Sequence, residues 1–180
     1  MNSLAGTYTL KAAGTTGCVV GCVAALGFWQ TGLIAAVPAA MGLTALAASD
    51  LTTHRFSLQT IRLATALVVV GLVLDTMRAS AWDRLAATVA MTGLVALAVL
   101  VLWLSTAGIA LGDVLLLTFA VLVPAWLSPW AAGATILVTL MVGGAVAVVQ
   151  RHGRSEGGSP ATVALGPALL AGWVIAVVVG

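Results

Sequence analysis

Two aspartates, Asp50 and Asp113, are the residues of this sequence best placed to do chemistry. Asp50 follows the largely apolar run 41–48, and Asp113 is followed at once by a valine and three leucines. Ionisable groups beside apolar spans are costly and usually serve a function or pair with another group. Two carboxyls held together in a low dielectric share one proton. One can then act as general base on a water while the other polarises a carbonyl, which predicts acid–base hydrolysis.

The dipoles of the predicted helices suggest how the pair divides its proton. Asp50 is expected at the negative C-terminal end of one helix, and Asp113 at the positive N-terminal end of another. Asp113 is therefore expected to be charged more often and Asp50 to hold the proton more often. Strictly, two coupled acids titrate as a pair rather than one at a time.

The composition indicates that lipid surrounds the elements that carry these acids. Of the 180 residues, 62% are hydrophobic and 7% are charged. An ordinary soluble domain is closer to half apolar and a quarter charged, and one soluble core of this size could not bury so much apolar surface. The net charge of +2 is too small to indicate a nucleic-acid partner. We therefore predict an all-α, polytopic integral membrane bundle with membrane lipids as its surroundings.

Charged residues interrupt the apolar sequence and leave seven stretches that could cross a membrane, each near the length of about 20 residues that a span needs. The first is interpreted as a retained helix rather than a cleaved leader, and the third is short. Residues 1–180 are predicted to form a single membrane domain. The predicted spans are 12–29, 32–49, 61–75, 85–104, 113–128, 130–149 and 161–179.

The basic residues are divided unevenly between the two predicted sides. The side that holds the N-terminus, Asp50 and Asp113 carries five of the seven, and the other side carries Arg78 and Arg84. The positive-inside rule places the richer side in the cytoplasm, so we predict a multi-pass protein of the inner or plasma membrane with a cytoplasmic N-terminus and site. The five are Lys11, Arg55, Arg62, Arg151 and Arg154.

Tryptophans are expected to mark the membrane surfaces, because their rings favour the headgroup level. They stand close to the ends of the predicted spans, which is typical of an interfacial aromatic belt. The members of this predicted belt are Trp29, Trp82, Trp103, Trp126 and Trp130.

Three segments carry short motifs: residues 49–57 (SDLTTHRFS), residues 110–116 (ALGDVLL) and residues 164–172 (ALGPALLAG). In this order they resemble the motifs of the type IV prepilin peptidases, which are membrane aspartic proteases of the GxGD type. The first segment resembles the motif in which an Asp ends a helix and precedes a short basic turn. The second resembles G-x-G-D-x-K-L, and the third resembles the Gly-Pro stretch that opens the last helix. The likeness covers a six-helix core, 33–180, and leaves 12–29 as an extra N-terminal helix.

The resemblance implies an endopeptidase that removes the leader from prepilin or pseudopilin precursors at the cytoplasmic membrane face. It implies Asp50 and Asp113 as the catalytic pair, with no cofactor and no metal. Five further residues fall in the motifs as candidates for substrate binding or structural support: Gly112, His54, Arg55, Gly166 and Pro167.

These five residues also have simpler interpretations. Gly112 lacks a Cβ and would let a substrate backbone approach the adjacent acid, or it serves helix packing. Gly166 and Pro167 also suit an ordinary helix start. His54 and Arg55 orient a substrate leader or an anionic lipid, or they are solvated basic residues.

The sequence also departs from the family pattern. Ala110 replaces a Gly, Leu115 replaces a Lys, and Ser57 replaces a Pro. The four-cysteine insertion of the larger bifunctional members is absent, so their N-methyltransferase activity is not expected here. Loss of the Lys removes a charge beside Asp113, which bears on its protonation or on the substrate contact.

Two other functions compete with proteolysis. The same acids could form the proton relay of a small transporter or channel, although they lie at one face and no inverted repeat is visible. An inactive homologue that helps assembly is the other alternative, suggested by Leu115 and Ser57. The remaining span-edge acids, Asp75 and Asp83, are expected on the opposite side in local pairs with nearby arginines.

Overall fold

The chain folds into α-helices joined by short turns in the parts that its computed structural model describes, residues 21–53, 58–105, 111–152 and 165–179. The all-α prediction is confirmed for these residues. A first helix, α1, occupies residues 21–31 of the described chain. It is followed by α2 (Ala36–Thr53), α3 (Leu58–Ala79), α4 (Trp82–Ser105), α5 (Leu111–Leu127), α6 (Pro129–His152) and α7 (Gly166–Val179).

Three stretches of helix are long and apolar enough to cross a membrane: α3, α4, and Pro129–Val146 of α6. Their outer faces carry large exposed apolar side chains such as Leu63, Val89 and Met141. Soluble monomers rarely expose apolar patches beyond a few hundred Å². The long helices and their apolar faces therefore favour a multi-pass membrane protein.

The third helix is longer than the predicted span 61–75, because it runs from Leu58 to Ala79. Arg62 and Asp75 were interpreted as charges that limit the span. Arg62 is exposed, while Asp75 is buried and accepts hydrogen bonds through both carboxylate oxygens. A buried carboxylate with such partners does not need to end a helix, so α3 continues past it.

The three shorter apolar helices, α2, α5 and α7, pack against one another and form the inner part of the bundle. The longer helices surround them: α3 lies against α2 and α5, α4 against α5, and α6 against α5 and α7. Helices α5 and α7 bury residues on most of their faces. This explains why their sequences are apolar throughout rather than on one stripe.

Close contacts between α2 and its neighbours define the helix directions. Gly71 of α3 lies against Ala35, just before α2, whereas Ala64 lies against Gly42 further along α2, so these two helices are antiparallel. Gly166, at the start of α7, lies against Ala47, close to the end of α2. The other end of the α2–α7 pair meets α1, so α2 and α7 are also antiparallel.

Contacts of α6 complete the arrangement. Gly172 of α7 lies against Thr135 and Thr139, and Gly143 lies against Leu165, so α6 and α7 are antiparallel. Ser128 alone joins α5 to α6, and the two helices pack together as a hairpin. The end of α2 and the starts of α5 and α7 therefore lie at the same end of the bundle, which we call the acid end.

Tight turns close the opposite end, which we call the turn end. Helix α1 stops where Gly32 adopts a φ of +65° and donates its N–H to the Phe28 carbonyl at 2.7 Å, a helix stop that favours glycine. Ser128 caps α6 by accepting the Ala131 N–H at 3.0 Å, and Pro129 follows in the first helical position. A tight turn around Gly32 therefore separates α1 from α2.

The structure changes the interpretation of one tryptophan. Trp29, Trp82 and Trp130 are exposed and stand beside the turns of the turn end, as expected of interfacial residues. Trp126 is 4% exposed and belongs to the apolar core. Its assignment to the aromatic belt is wrong, because α5 is an inner helix whose last turn packs against protein.

Candidate functional site

The three segments that carry motifs meet at the acid end. Asp50 lies in the last turn of α2, Asp113 is the third residue of α5, and Gly166 is the first residue of α7. These are the three inner helices, which all contact one another. The expected placement of Asp50 and Asp113 on one side of the bundle agrees with these helix directions.

Asp50 is buried and tied to the start of α7. It is 4% exposed, and its Oδ2 accepts the backbone N–H of Gly166 at 2.7 Å. The first N–H groups of a helix have no partner within that helix. A carboxylate that accepts one of them makes a short, charge-assisted hydrogen bond. Asp50 therefore caps a helix distant from it in sequence.

Gly166 has no room for a side chain. A Cβ at this position would lie 2.8 Å from the Ala47 Cα and 3.1 Å from the Asp50 Cβ. The backbone of α7 can approach Asp50 only because residue 166 is a glycine. Gly166 is therefore more than an ordinary helix start, since its missing side chain sets the distance between α7 and the acid.

Asp113 is partly buried in the first turn of α5. Helices α2 and α5 meet where Gly42 contacts Phe119. Asp50 is eight residues beyond that crossing and Asp113 six residues before it, so at 1.5 Å per residue they lie about 12 Å and about 9 Å toward the acid end. The two acids are thus at similar depth in the bundle.

The helix dipoles do not separate the two acids as simply as the sequence indicated. Asp50 stands near the negative end of α2, but it also contacts the positive end of α7 through Gly166. Asp113 stands at the positive end of α5. Each acid is therefore close to the positive end of a helix, and the dipole of α2 is not the only one that acts on Asp50.

The other candidate residues divide into described and undescribed ones. Gly112 is the second residue of α5 and partly buried, and Pro167 is the second residue of α7, where a missing N–H costs no helical hydrogen bond. Leu115, which replaces the family's Lys, is exposed. The positions that lie outside the described residues are His54, Arg55, Ser57 and Ala110.

Asp75 is a buried acid whose role the sequence analysis missed. It is 4% exposed, and its two oxygens accept the N–H groups of Ile34 and Ala35 at 3.1 and 3.0 Å. The local pairing with Arg78 is wrong as its explanation, because its partners are two N–H groups in the turn that leads into α2. A signal was present in Pro38, which favours a helix start nearby and hence donors that need acceptors.

Comparison with known proteins adds no relative: no family model, curated protein or solved structure matches this chain. The resemblance to the prepilin peptidases therefore rests on the three motifs and the residues that they contain.

Proposed function

We propose that this chain is a membrane aspartic endopeptidase that removes the leader peptide from type IV pilin-like precursors, with Asp50 and Asp113 as its catalytic pair. One observation carries the proposal. The three segments that resemble the family's motifs lie far apart in sequence, yet their helices bring Asp50, Asp113 and Gly166 to one end of the bundle. A direct hydrogen bond from Gly166 to Asp50 also joins two of these segments.

The chemistry follows from two carboxyls that share a proton. The charged member takes a proton from a water, whose oxygen attacks the scissile carbonyl, while the protonated member donates to the carbonyl oxygen. As the C–N bond of the resulting diol breaks, the leaving amine accepts the proton of one acid, and the other acid takes a proton from a diol hydroxyl, so the pair again holds one proton. The reaction needs no cofactor, and the two acids exchange roles within each turnover.

The proposed topology has seven spans, with the acid end in the cytoplasm. The charge distribution supports this orientation: Arg62 and Arg151 lie near the helix ends of the acid end, whereas Arg78 and Arg84 lie at the turn end. In this orientation the site lies on the cytoplasmic side, where the leader of a membrane-anchored precursor would be cut.

A purely structural role for Asp50 is the strongest rival explanation. Asp75 shows that a buried acid in this bundle can cap the start of another helix at the turn end, far from the proposed site. Asp75 is therefore a matched control, because it is an equally buried acid that also binds backbone N–H groups.

The test is cleavage of a panel of type IV pilin-like precursors, each co-expressed with the protein and followed by gel shift. We expect the wild type and Asp75→Asn to shorten at least one precursor, and Asp50→Asn and Asp113→Asn to shorten none. The amount of folded protein in the membrane fraction is measured for every variant. If folded Asp75→Asn also fails to cleave, the loss of cleavage in Asp50→Asn would no longer indicate a catalytic role for Asp50.

Failure of the wild type to shorten any precursor would contradict the peptidase proposal. Proton flux into vesicles that contain the purified chain would then decide between the remaining functions. Flux that is lost in Asp50→Asn and Asp113→Asn would indicate a relay for transport. Absence of both cleavage and flux would favour an inactive assembly homologue.

A further inference from the structure

We propose that Gly166 is a positioning residue for Asp50: its backbone N–H holds Oδ2 of that acid and so fixes the carboxyl in place for its work with Asp113. This inference rests on the proposed function, because it assigns a task to Gly166 within the same site. The hydrogen bond of 2.7 Å between Gly166 N and Asp50 Oδ2 is its first support.

Among the first residues of α7, Gly166 is the one whose N–H is seen to bind Asp50. Gly166 directs its N–H out of the helix to Asp50, Pro167 has no N–H, and Leu169 donates to the Leu165 carbonyl at 3.0 Å. Gly166 and Asp50 are both buried. In such surroundings a hydrogen bond is stronger than in water and the atoms that it joins are well fixed.

The packing around Gly166 keeps this bond short. The Cα of Ala47 and the Cβ of Asp50 occupy the space that a side chain would need, so any larger residue must push α7 away from α2. Displacement of Gly166 would move Oδ2 and rotate the carboxyl, without removing either acid. A misplacement of about 1 Å in a catalytic group can cost about 100-fold in rate.

Gly172 supplies a matched control on the same helix. A Cβ there would lie 2.6 Å from both the Thr135 carbonyl oxygen and the Thr139 Oγ1, so the site is as crowded as that of Gly166. It faces α6 rather than Asp50. Gly172→Ala therefore reproduces the packing damage of Gly166→Ala without touching the acid.

The first experiment compares cleavage kinetics of the purified full chain on one precursor that the wild type cuts. We expect Gly166→Ala to lower kcat by about 10- to 100-fold with KM nearly unchanged. Gly172→Ala should retain a kcat within about threefold of the wild type. Equal losses of kcat in both variants would overturn the positioning role and leave the proposed function standing.

The second experiment keeps glycine at position 166, so it does not depend on whether Gly166→Ala folds. Labelling with ¹³C-leucine and ¹⁵N-glycine selects the amides that follow a leucine, those of Gly27, Gly112 and Gly166. We expect the Gly166 amide signal to move with pH in the same transition as the cleavage rate, and to lose that movement in Asp50→Asn. A Gly166 amide that ignores pH, or moves equally in Asp50→Asn, would overturn the inference.

Failure of the wild type to cleave any precursor is a separate result. It would remove the proposed function and with it the catalytic task of Gly166, even if the amide signal still reported the hydrogen bond to Asp50.

Discussion

At the scale of single residues, two buried acids are built into the bundle in the same way and differ in one respect. Asp50 accepts the N–H of the first residue of α7, and Asp75 accepts two N–H groups in the turn that leads into α2. Asp75 uses both oxygens, for Ile34 and Ala35, whereas the bond of Asp50 to Gly166 uses Oδ2. The backbone engages both oxygens of Asp75, which suits a structural role.

This difference predicts that the same substitution at the two acids lowers stability by different amounts. Asp75→Asn places an amide NH₂ against one of two buried N–H groups, so it should destabilise the fold by about 1–3 kcal/mol. Asp50→Asn can still accept the Gly166 N–H through its amide oxygen, and should cost less than about 1 kcal/mol. Thermal unfolding in detergent measures both. A larger loss of stability for Asp50→Asn would identify Asp50 as the more structural acid.

The helix positions of the acids can be predicted from the sequence, but their hydrogen-bond partners cannot. The positions of Asp50 near a helix end and Asp113 at a helix start were predictable, because apolar runs flank both acids. The bonds from Ile34 and Ala35 to Asp75 were not, because they join residues forty positions apart. Arg78 stands three residues after Asp75, and a local pair looked sufficient.

At the scale of helices, glycines decide how closely the elements approach. A Cβ on Gly71 would lie 2.7 Å from the Ala35 Cα and 2.9 Å from its N, so α3 touches the backbone just before α2. Gly93 of α4 has open space where its Cβ would be. Small residues at such crossings allow close packing of helices in lipid. The number of glycines in a sequence does not tell which of them lie at such crossings.

The contrast between these glycines gives a stability prediction. Gly71→Ala should destabilise the protein by about 1–3 kcal/mol, because backbone atoms cannot move aside cheaply. Gly93→Ala should be neutral or stabilising by up to about 1 kcal/mol, because alanine is the better helix former. Unfolding of both variants in the same detergent measures the difference. Equal stabilities would mean that α3 does not contact Ala35 as closely as described.

At the scale of the whole molecule, the two ends of the bundle differ in character. The acid end gathers Asp50, Asp113 and Gly166, whereas the turn end gathers the tight hairpins and three exposed tryptophans. The full length of α3 is not predictable from the sequence, because a charged residue such as Asp75 usually marks the end of a membrane span. The burial of Trp126 was hidden because sequence position does not tell an inner helix from an outer one.

The proposed orientation of the bundle in the membrane predicts the outcome of thiol labelling. In a chain with Cys18 and Cys22 replaced by alanine, Ser80→Cys marks the turn end and Arg62→Cys the acid end, both at exposed positions. An impermeant maleimide should label Ser80→Cys in intact cells, and Arg62→Cys only after the membrane is opened. Labelling of both from the same side would contradict the proposed orientation.

The measurement that tests the central claim most directly is a double-mutant cycle on leader cleavage by the purified chain in lipid vesicles. If Asp50 and Asp113 share one proton and act as a unit, each single change to Asn should lower kcat by at least about 1,000-fold, and the double variant should lose no more than either single variant. Substantial cleavage by either single variant, or losses that multiply in the double variant, would contradict the account.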